Sequence, residues 1–201
     1  MITNLDLIEI FSEIAVAMTE NRSLLCNMPC VSGETDHGVT MNYVFTMLED
    51  TLAAVDPAGL RPGELFDAAA ETFLKVDTPS ARLYASGFRR AGSMLMRRRS
   101  LSDQDFGAAI AAIASGFRDK GTPSETLRDA TDIWTKIAPV LTAALDTGMS
   151  MAPALDQALA KVNHGVPIVA TMRDAAPDLE GYDATGLSAI LMLRAIRDSL
   201  A

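Results

Sequence analysis

Apolar residues near the start of the chain recur at three- and four-residue intervals. Leu5, Leu7, Ile8, Phe11, Ile14, Ala15 and Met18 share a stripe, and Glu9, Glu13 and Glu20 fall largely elsewhere on the wheel, which predicts an amphipathic helix. Beyond a loop rich in Ser, Gly and Pro, the stretch 39–55 repeats the pattern with Met41, Val44, Phe45, Leu48, Leu52 and Val55, and Asp56-Pro57 stops it. Pro62 suits the first turn of a third helix running to about Val76, because a proline there gives up an amide that has no intrahelical partner. Ser80 is read as the cap of a fourth helix reaching Arg98. Ser102, with Asp103 and Asp105 at the positive end, opens a fifth that ends near Lys120 and Gly121. Ser124 does the same for a sixth, through Trp134 to Thr147, bent at Pro139. Two shorter helices over 151–163 and 167–176 precede a last one from Thr185 to Leu200. No window alternates with the period of a strand.

Connections of a few residues suit antiparallel neighbours, and no repeat or low-complexity linker divides the chain, so residues 1–201 read as one all-α bundle. Alanines at 108, 109, 111, 112 and 114 let helices approach closely and carry no chemistry. The chain is 49% hydrophobic and 21% charged, enough to bury a core. With 17 Lys and Arg against 26 Asp and Glu, a formal charge of −9 repels phosphate backbones and anionic lipid, so neither nucleic acid nor membrane is an expected partner. Met1 to Val16 lacks the basic start and cleavage site of a leader, and no run of 18 or more apolar residues occurs; the expected location is cytoplasmic. Cys26 and Cys30 are too few for a disulfide framework and read as reduced thiols.

The densest polar stretch is Ser32-Gly33-Glu34-Thr35-Asp36-His37-Gly38-Val39-Thr40-Met41. Two carboxylates two residues apart in an extended loop can hold a hard cation such as Mg²⁺ through oxygen. The helix that follows turns free amides and its positive end toward an anion. The other reading is an acidic capping loop of the kind any helical protein carries. Neither an EF-hand nor a Walker A sequence is present.

At these residues the chain resembles a known family. Gly33-Glu34-Thr35-Asp36-His37-Gly38-Val39-Thr40-Met41 is similar to the GDADHGxNM signature of the nucleotide-binding L subunit of dihydroxyacetone kinase, DhaL. Thr78-Pro79-Ser80-Ala81-Arg82-Leu83-Tyr84 resembles that family's GGASGPLYG, Thr126-Leu127-Arg128-Asp129-Ala130 its KTMLDAL, and Asp183-Ala184-Thr185-Gly186-Leu187-Ser188 its DPGATS. Four motifs in order cover almost the whole chain. The resemblance implies a barrel of eight antiparallel helices that binds ADP or ATP at one end through two Mg²⁺ ions. It assigns Glu34 and Asp36 to metal, and His37, Gly38, Thr40, Ser80, Leu127 and Asp183 to the surroundings of the nucleotide, Leu127 as an apolar wall for adenine.

The departures are as specific as the matches. Of three family aspartates on the metal ions, Asp36 matches one, Glu34 replaces another, and Pro29 stands where the third belongs. Thr40 replaces the usual Asn, Asp77 and Thr78 replace the glycines before Ser80, and the arm reading GRASYLGERS in the family is largely absent between Thr171 and Asp183.

Other clusters read more plainly. Cys26, Cys30, His37 and His164 lack zinc-knuckle spacing. Arg97-Arg98-Arg99, with Arg89 and Arg90 two turns earlier, is either a solvated helix end or a dock for an acidic partner. Trp134 and Met41, Met47, Met94 and Met96 read as core residues sooner than as a cofactor box, and no Ser has a His-Asp partner at readable spacing.

The functional expectation is a DhaL-like subunit that carries ADP or ATP with Mg²⁺ and donates phosphoryl to a small keto-sugar. The resemblance puts that sugar on a histidine of a separate K-type subunit, with an M-type phosphotransferase subunit recharging ADP in one version; a homodimer is compatible. The rival is a kinase-like relative that has lost transfer and serves as a regulatory or scaffolding partner.

Overall fold

Helix starts are fixed by side chains that accept the amides a first turn leaves free. Thr3 accepts from Asp6 while the Asp6 carboxylate takes the Thr3 amide, and Ser102 and Asp105 make the same reciprocal box. Asp183 accepts from both Thr185 and Gly186. The computed structural model describes residues 1–118, 127–162 and 182–201. Among them the helices are α1 (Asn4–Glu20), α2 (Arg22–Asn27), α3 (His37–Ala53), α4 (Pro62–Leu74), α5 (Pro79–Leu95), α6 (Asp103–Arg118), α7 (Arg128–Asp146), α8 (Met151–Leu159) and α9 (Ala184–Ser199). A 3-10 turn spans Pro57–Gly59.

Packing follows chain order around a ring. α3 lies on α4, α4 on α5, α5 on α6, α6 on α7, α7 on α8 and α9, and α9 returns to α1, itself against α3. The barrel is thereby closed. Arg61 donates to the Met96 carbonyl at 2.9 Å, so α4 begins where α5 ends. Asn4 reaches the Pro57 and Leu60 carbonyls, Ile2 bridges to Leu101, and the Met151 amide donates to Asp103 at 2.8 Å. Those bonds gather the starts of α1, α4, α6 and α8 at one end, leaving the starts of α3, α5, α7 and α9 for the other. Phe11, Phe66, Phe88, Phe73, Tyr84, Phe117 and Trp134 run through the interior as a chain of ring contacts with centroids 5.3–6.4 Å apart.

The all-α expectation holds, and apart from the Ile2–Leu101 bridge no strand pairing occurs among the described residues. Several boundaries are corrected. The loop expected after the first helix contains α2, six residues that bury Leu25 and are too short to show periodicity. The second expected helix begins at His37, two residues before Val39. Ser80 does not cap the fourth: Thr78 does, its hydroxyl accepting from Ala81 at 3.2 Å, with Pro79 in the first turn. That helix stops at Leu95, so Arg97–Arg99 lie beyond it rather than on its last turn. Pro139 sits inside α7 as expected. The expected helix over 167–176, the Ser124 cap, the end near Lys120 and Gly121, His164 and the trimmed arm between Thr171 and Asp183, up to Gly181, lie outside the described residues. Among the described residues no helix is long and apolar enough to cross a membrane.

α5 and α6 approach each other closely. A Cβ built on Gly116 falls 2.7 Å from the Ser86 carbonyl oxygen and 2.8 Å from the Gly87 Cα, both backbone atoms that cannot swing aside. Gly116→Ala is expected to destabilise the protein by about 1–3 kcal/mol through overpacking. Gly59→Ala, with nothing within 4 Å of the added carbon, is expected to stay within about 0.5 kcal/mol of the parent. Urea denaturation of the two variants beside the parent checks the contrast.

Candidate functional site

The turn at Gly33, which takes φ +76° as glycine readily does, delivers Glu34 into the barrel end. Glu34 is 8% exposed. Its Oε1 accepts the Ser80 amide at 2.6 Å; its Oε2 accepts the Ser80 hydroxyl at 2.6 Å and lies 3.0 Å from His37 Nδ1. A carboxylate thus sits at the N-terminus of α5, where free amides and the helix dipole favour negative charge. Burial pushes the Glu34 carboxyl up, but the His37 hydrogen bond, the two bonds from Ser80 and the His37 charge outweigh it and hold Glu34 below its ordinary value.

An ionised carboxylate only accepts, so His37 carries its proton on Nδ1 and donates to Glu34. The other ring nitrogen, Nε2, is 3.0 Å from Ser188 Oγ, and the Ser188 hydroxyl is itself 2.9 Å from the Thr185 carbonyl oxygen one turn earlier in α9. Glu34, His37 and Ser188 therefore have the connectivity of a hydrolase triad. They do not make one, because Ser188 is 0% exposed and His37 1%, leaving no path for a substrate to the hydroxyl. The chain of bonds ties the starts of α3, α5 and α9 together.

Asp183 makes a second tie. Its Oδ1 takes the Thr185 and Gly186 amides and the Thr185 hydroxyl, and its Oδ2 accepts from the Val31 amide at 3.2 Å. The Ala184 amide donates to the Pro29 carbonyl at 2.9 Å, and Asp129 at the start of α7 accepts the Asp183 amide at 2.8 Å. Segment 29–31 is thus clasped to α9, and α7 joins the same end.

Glu34, His37, Ser80 and Asp183 are brought into this assembly. Gly38 is buried for a packing reason: a Cβ there falls 2.3 Å from the Arg22 carbonyl oxygen, so only glycine lets α3 lie on α2. Thr40 is half-buried and Asp36 exposed, its side chain capping nothing although it stands at the N-cap of α3. Leu127 is buried in the hydrophobic core one residue before α7, and two residues on Asp129 joins the site through Asp183. Ser188, Thr185 and Asp129 were not singled out from the sequence. The available signal for Ser188 was a polar residue on the buried side of an otherwise apolar helix.

These residues do not fit a two-ion centre as they stand. Both Glu34 oxygens are engaged inside the protein, Pro29 has no side-chain oxygen and uses its carbonyl for Ala184, and Asp36 alone remains open. No group of three or more His, Cys, Asp or Glu among the described residues is arranged to hold a metal ion. Cys26 and Cys30 are both unbridged; burial first, with Asp183 and Glu34 nearby, raises the Cys30 thiol and disfavours its thiolate.

Because Glu34 is held below its ordinary value, its contribution to stability is present above its unfolded value of about 4.5 and is lost as pH falls through the lower folded value. Glu34→Gln is expected to cost about 1–3 kcal/mol at neutral pH. The deficit should shrink as pH falls from the unfolded value through the lower folded one, where the parent's own carboxyl protonates. Denaturant titrations at several pH values check this, and a deficit independent of pH would contradict the ionised network.

Comparison with known proteins agrees with the motif reading. No curated protein matches the chain. A family model described as the DAK2 domain matches residues 32–198, from the loop that carries Glu34 to the last turn of α9. The chain belongs to the DAK2-domain family, the DhaL-type domain of the dihydroxyacetone kinase L subunit.

Proposed function

We propose that this chain is the nucleotide-carrying subunit of a dihydroxyacetone-type kinase, with ADP or ATP lying at the end of the barrel where α3, α5, α7 and α9 begin. The observation that carries this reading is the N-terminus of α5, where the Ser80 amide and hydroxyl already bind the two oxygens of a carboxylate. The phosphates of a nucleotide would exploit the same dipoles. Of the two residues read as metal ligands, Glu34 is assigned a structural role. Asp36 is the carboxylate open to a Mg²⁺ ion arriving with the phosphates, an ion whose general contribution is to neutralise charge on the transferring group. His37 orients Glu34 and does not touch the nucleotide. A small keto-sugar is held by a K-type partner, and an M-type partner recharges ADP where the donor is a phosphotransferase chain.

One observation favours the second reading, a relative that has lost transfer and acts as a regulatory or scaffolding partner. Glu34 occupies the anion position at α5 with both oxygens engaged, and Pro29 supplies no side-chain ligand.

Calorimetry separates the two. The parent is expected to bind ADP, Asp36→Asn to weaken the Mg-dependent part about tenfold, or ~1.4 kcal/mol, and Pro29→Asp to increase the dependence on Mg²⁺. The chain alone should phosphorylate no dihydroxyacetone, and adding a K-type subunit should restore turnover. No ADP binding at millimolar concentration, with no turnover when the K-type subunit is supplied, would favour the non-transferring relative. Replacing Arg97, Arg98 and Arg99 together by Ala is expected to change ADP affinity less than about threefold, since α5 spans roughly 25 Å between Ser80 and that patch.

A further inference from the structure

Away from the helix starts, the outer sides of α5 and α6 enclose a cleft of about 980 Å³. Arg82, Arg89, Arg90 and Met94 of α5 form one wall, and Ala108 and Ala112 of α6 help form the other. None of its lining residues is acidic, on a chain whose formal charge is −9. Arg82 pairs with Asp77 and Arg89 with Glu71, all four exposed, and Arg90 is also engaged. Exposed pairs of this kind contribute about 0–1 kcal/mol and exchange partners readily. Methionine and arginine are enriched at protein interfaces, and the small residues of the floor leave the cleft open to a side chain from outside.

The complementary surface lies elsewhere on the same ring. α1 turns Leu5, Glu9, Glu13, Val16 and Glu20 outward, a stripe at helical spacing, with Leu5 67% and Val16 45% exposed. Among the described residues those three carboxylates make no ion pair or hydrogen bond. α3 beside it adds Tyr43, 58% exposed, and Asp50, while Arg22 at the start of α2 is the exposed cation next along the chain. Glu9 to Glu20 extends about 16 Å along α1 and Arg82 to Met94 about 18 Å along α5, so the stripe and the cleft agree in length. α4 separates the two surfaces around the ring, so a chain cannot cover its own cleft with its own stripe.

We propose that the cleft between α5 and α6 receives the acidic α1 face of a second copy of this chain. The contact is heterologous, cleft to stripe, and either closes as a ring or continues as an open assembly. It is independent of nucleotide, whose proposed site lies among the helix starts.

Sedimentation equilibrium on the full chain tests this. Self-association is expected at about 100 µM in low salt and should weaken at least tenfold on raising salt from about 50 to 500 mM. Arg82→Ala with Arg89→Ala removes two of the cleft's three guanidinium charges; Glu9→Lys with Glu13→Lys reverses the stripe. All four side chains are exposed, and circular dichroism verifies that both variants stay folded. Each variant alone should be monomeric, yet an equimolar mixture should give a 1:1 dimer, because one partner keeps its stripe and the other its cleft. A monomeric parent, association insensitive to salt, a variant that associates as the parent does, or a mixture that stays monomeric would each overturn the proposal. The salt series needs no substitution and remains decisive if a variant fails to fold.

Discussion

A carboxylate taken out of water must find donors or lose its charge, and Glu34 finds three: the Ser80 amide, the Ser80 hydroxyl and His37. That requirement arranges the end of the barrel. His37 can donate to Glu34 only from the first turn of α3, and its far nitrogen can meet Ser188 only if α9 lies across the opening. Asp183 then caps α9 and clasps segment 29–31, which carries the loop back to Glu34. The bonds form a closed circuit, so loosening one member leaves another buried group without its partner, which costs more than the bond itself contributes. Stability and any anion-binding capacity of this end are coupled through the same carboxylate.

Most helices were legible because an amphipathic stripe is a long-range average that survives local ambiguity. α1 and α3 declare themselves through their apolar spacing, and α4 and α6 through Pro62 and Ser102 at their starts. Short or buried pieces do not: α2 has six residues, and its reason for existing, the Leu25 contact and the bare Cα of Gly38 beneath it, is tertiary. Thr78 rather than Ser80 caps α5 because Ser80 is needed by Glu34, 46 residues earlier, a partner no local window contains. The site was legible as a set of motifs but not as chemistry. Glu34 and Asp36 look equivalent two residues apart, yet the turn at Gly33 sends one into the interior and leaves the other in solvent.

α5 illustrates how one helix serves several demands. Its start receives Glu34, its inward face supplies Tyr84 and Phe88 to the aromatic chain, and its glycines lie against neighbouring backbone: Gly87 and Gly116 bring α6 close, and Gly63 and Gly92 do so for α4. Bare Cα atoms on those faces leave the long arginine side chains the outer side. The close approach thereby shapes the cleft, because α6 offers it only Ala108, Ala112 and Ser115.

The Ser188–His37 bond joins residues 151 positions apart, and the helix that supplies Ser188 is the last described element of the chain. Contacts of such separation carry a large loop-closure entropy and form late. During synthesis on the ribosome, α3 and α5 therefore emerge long before the group that completes their shared end, and Glu34 and Ser80 must wait without His37 being anchored. A truncation that removes α9 would lose the ring's closure and the organised end in the same event.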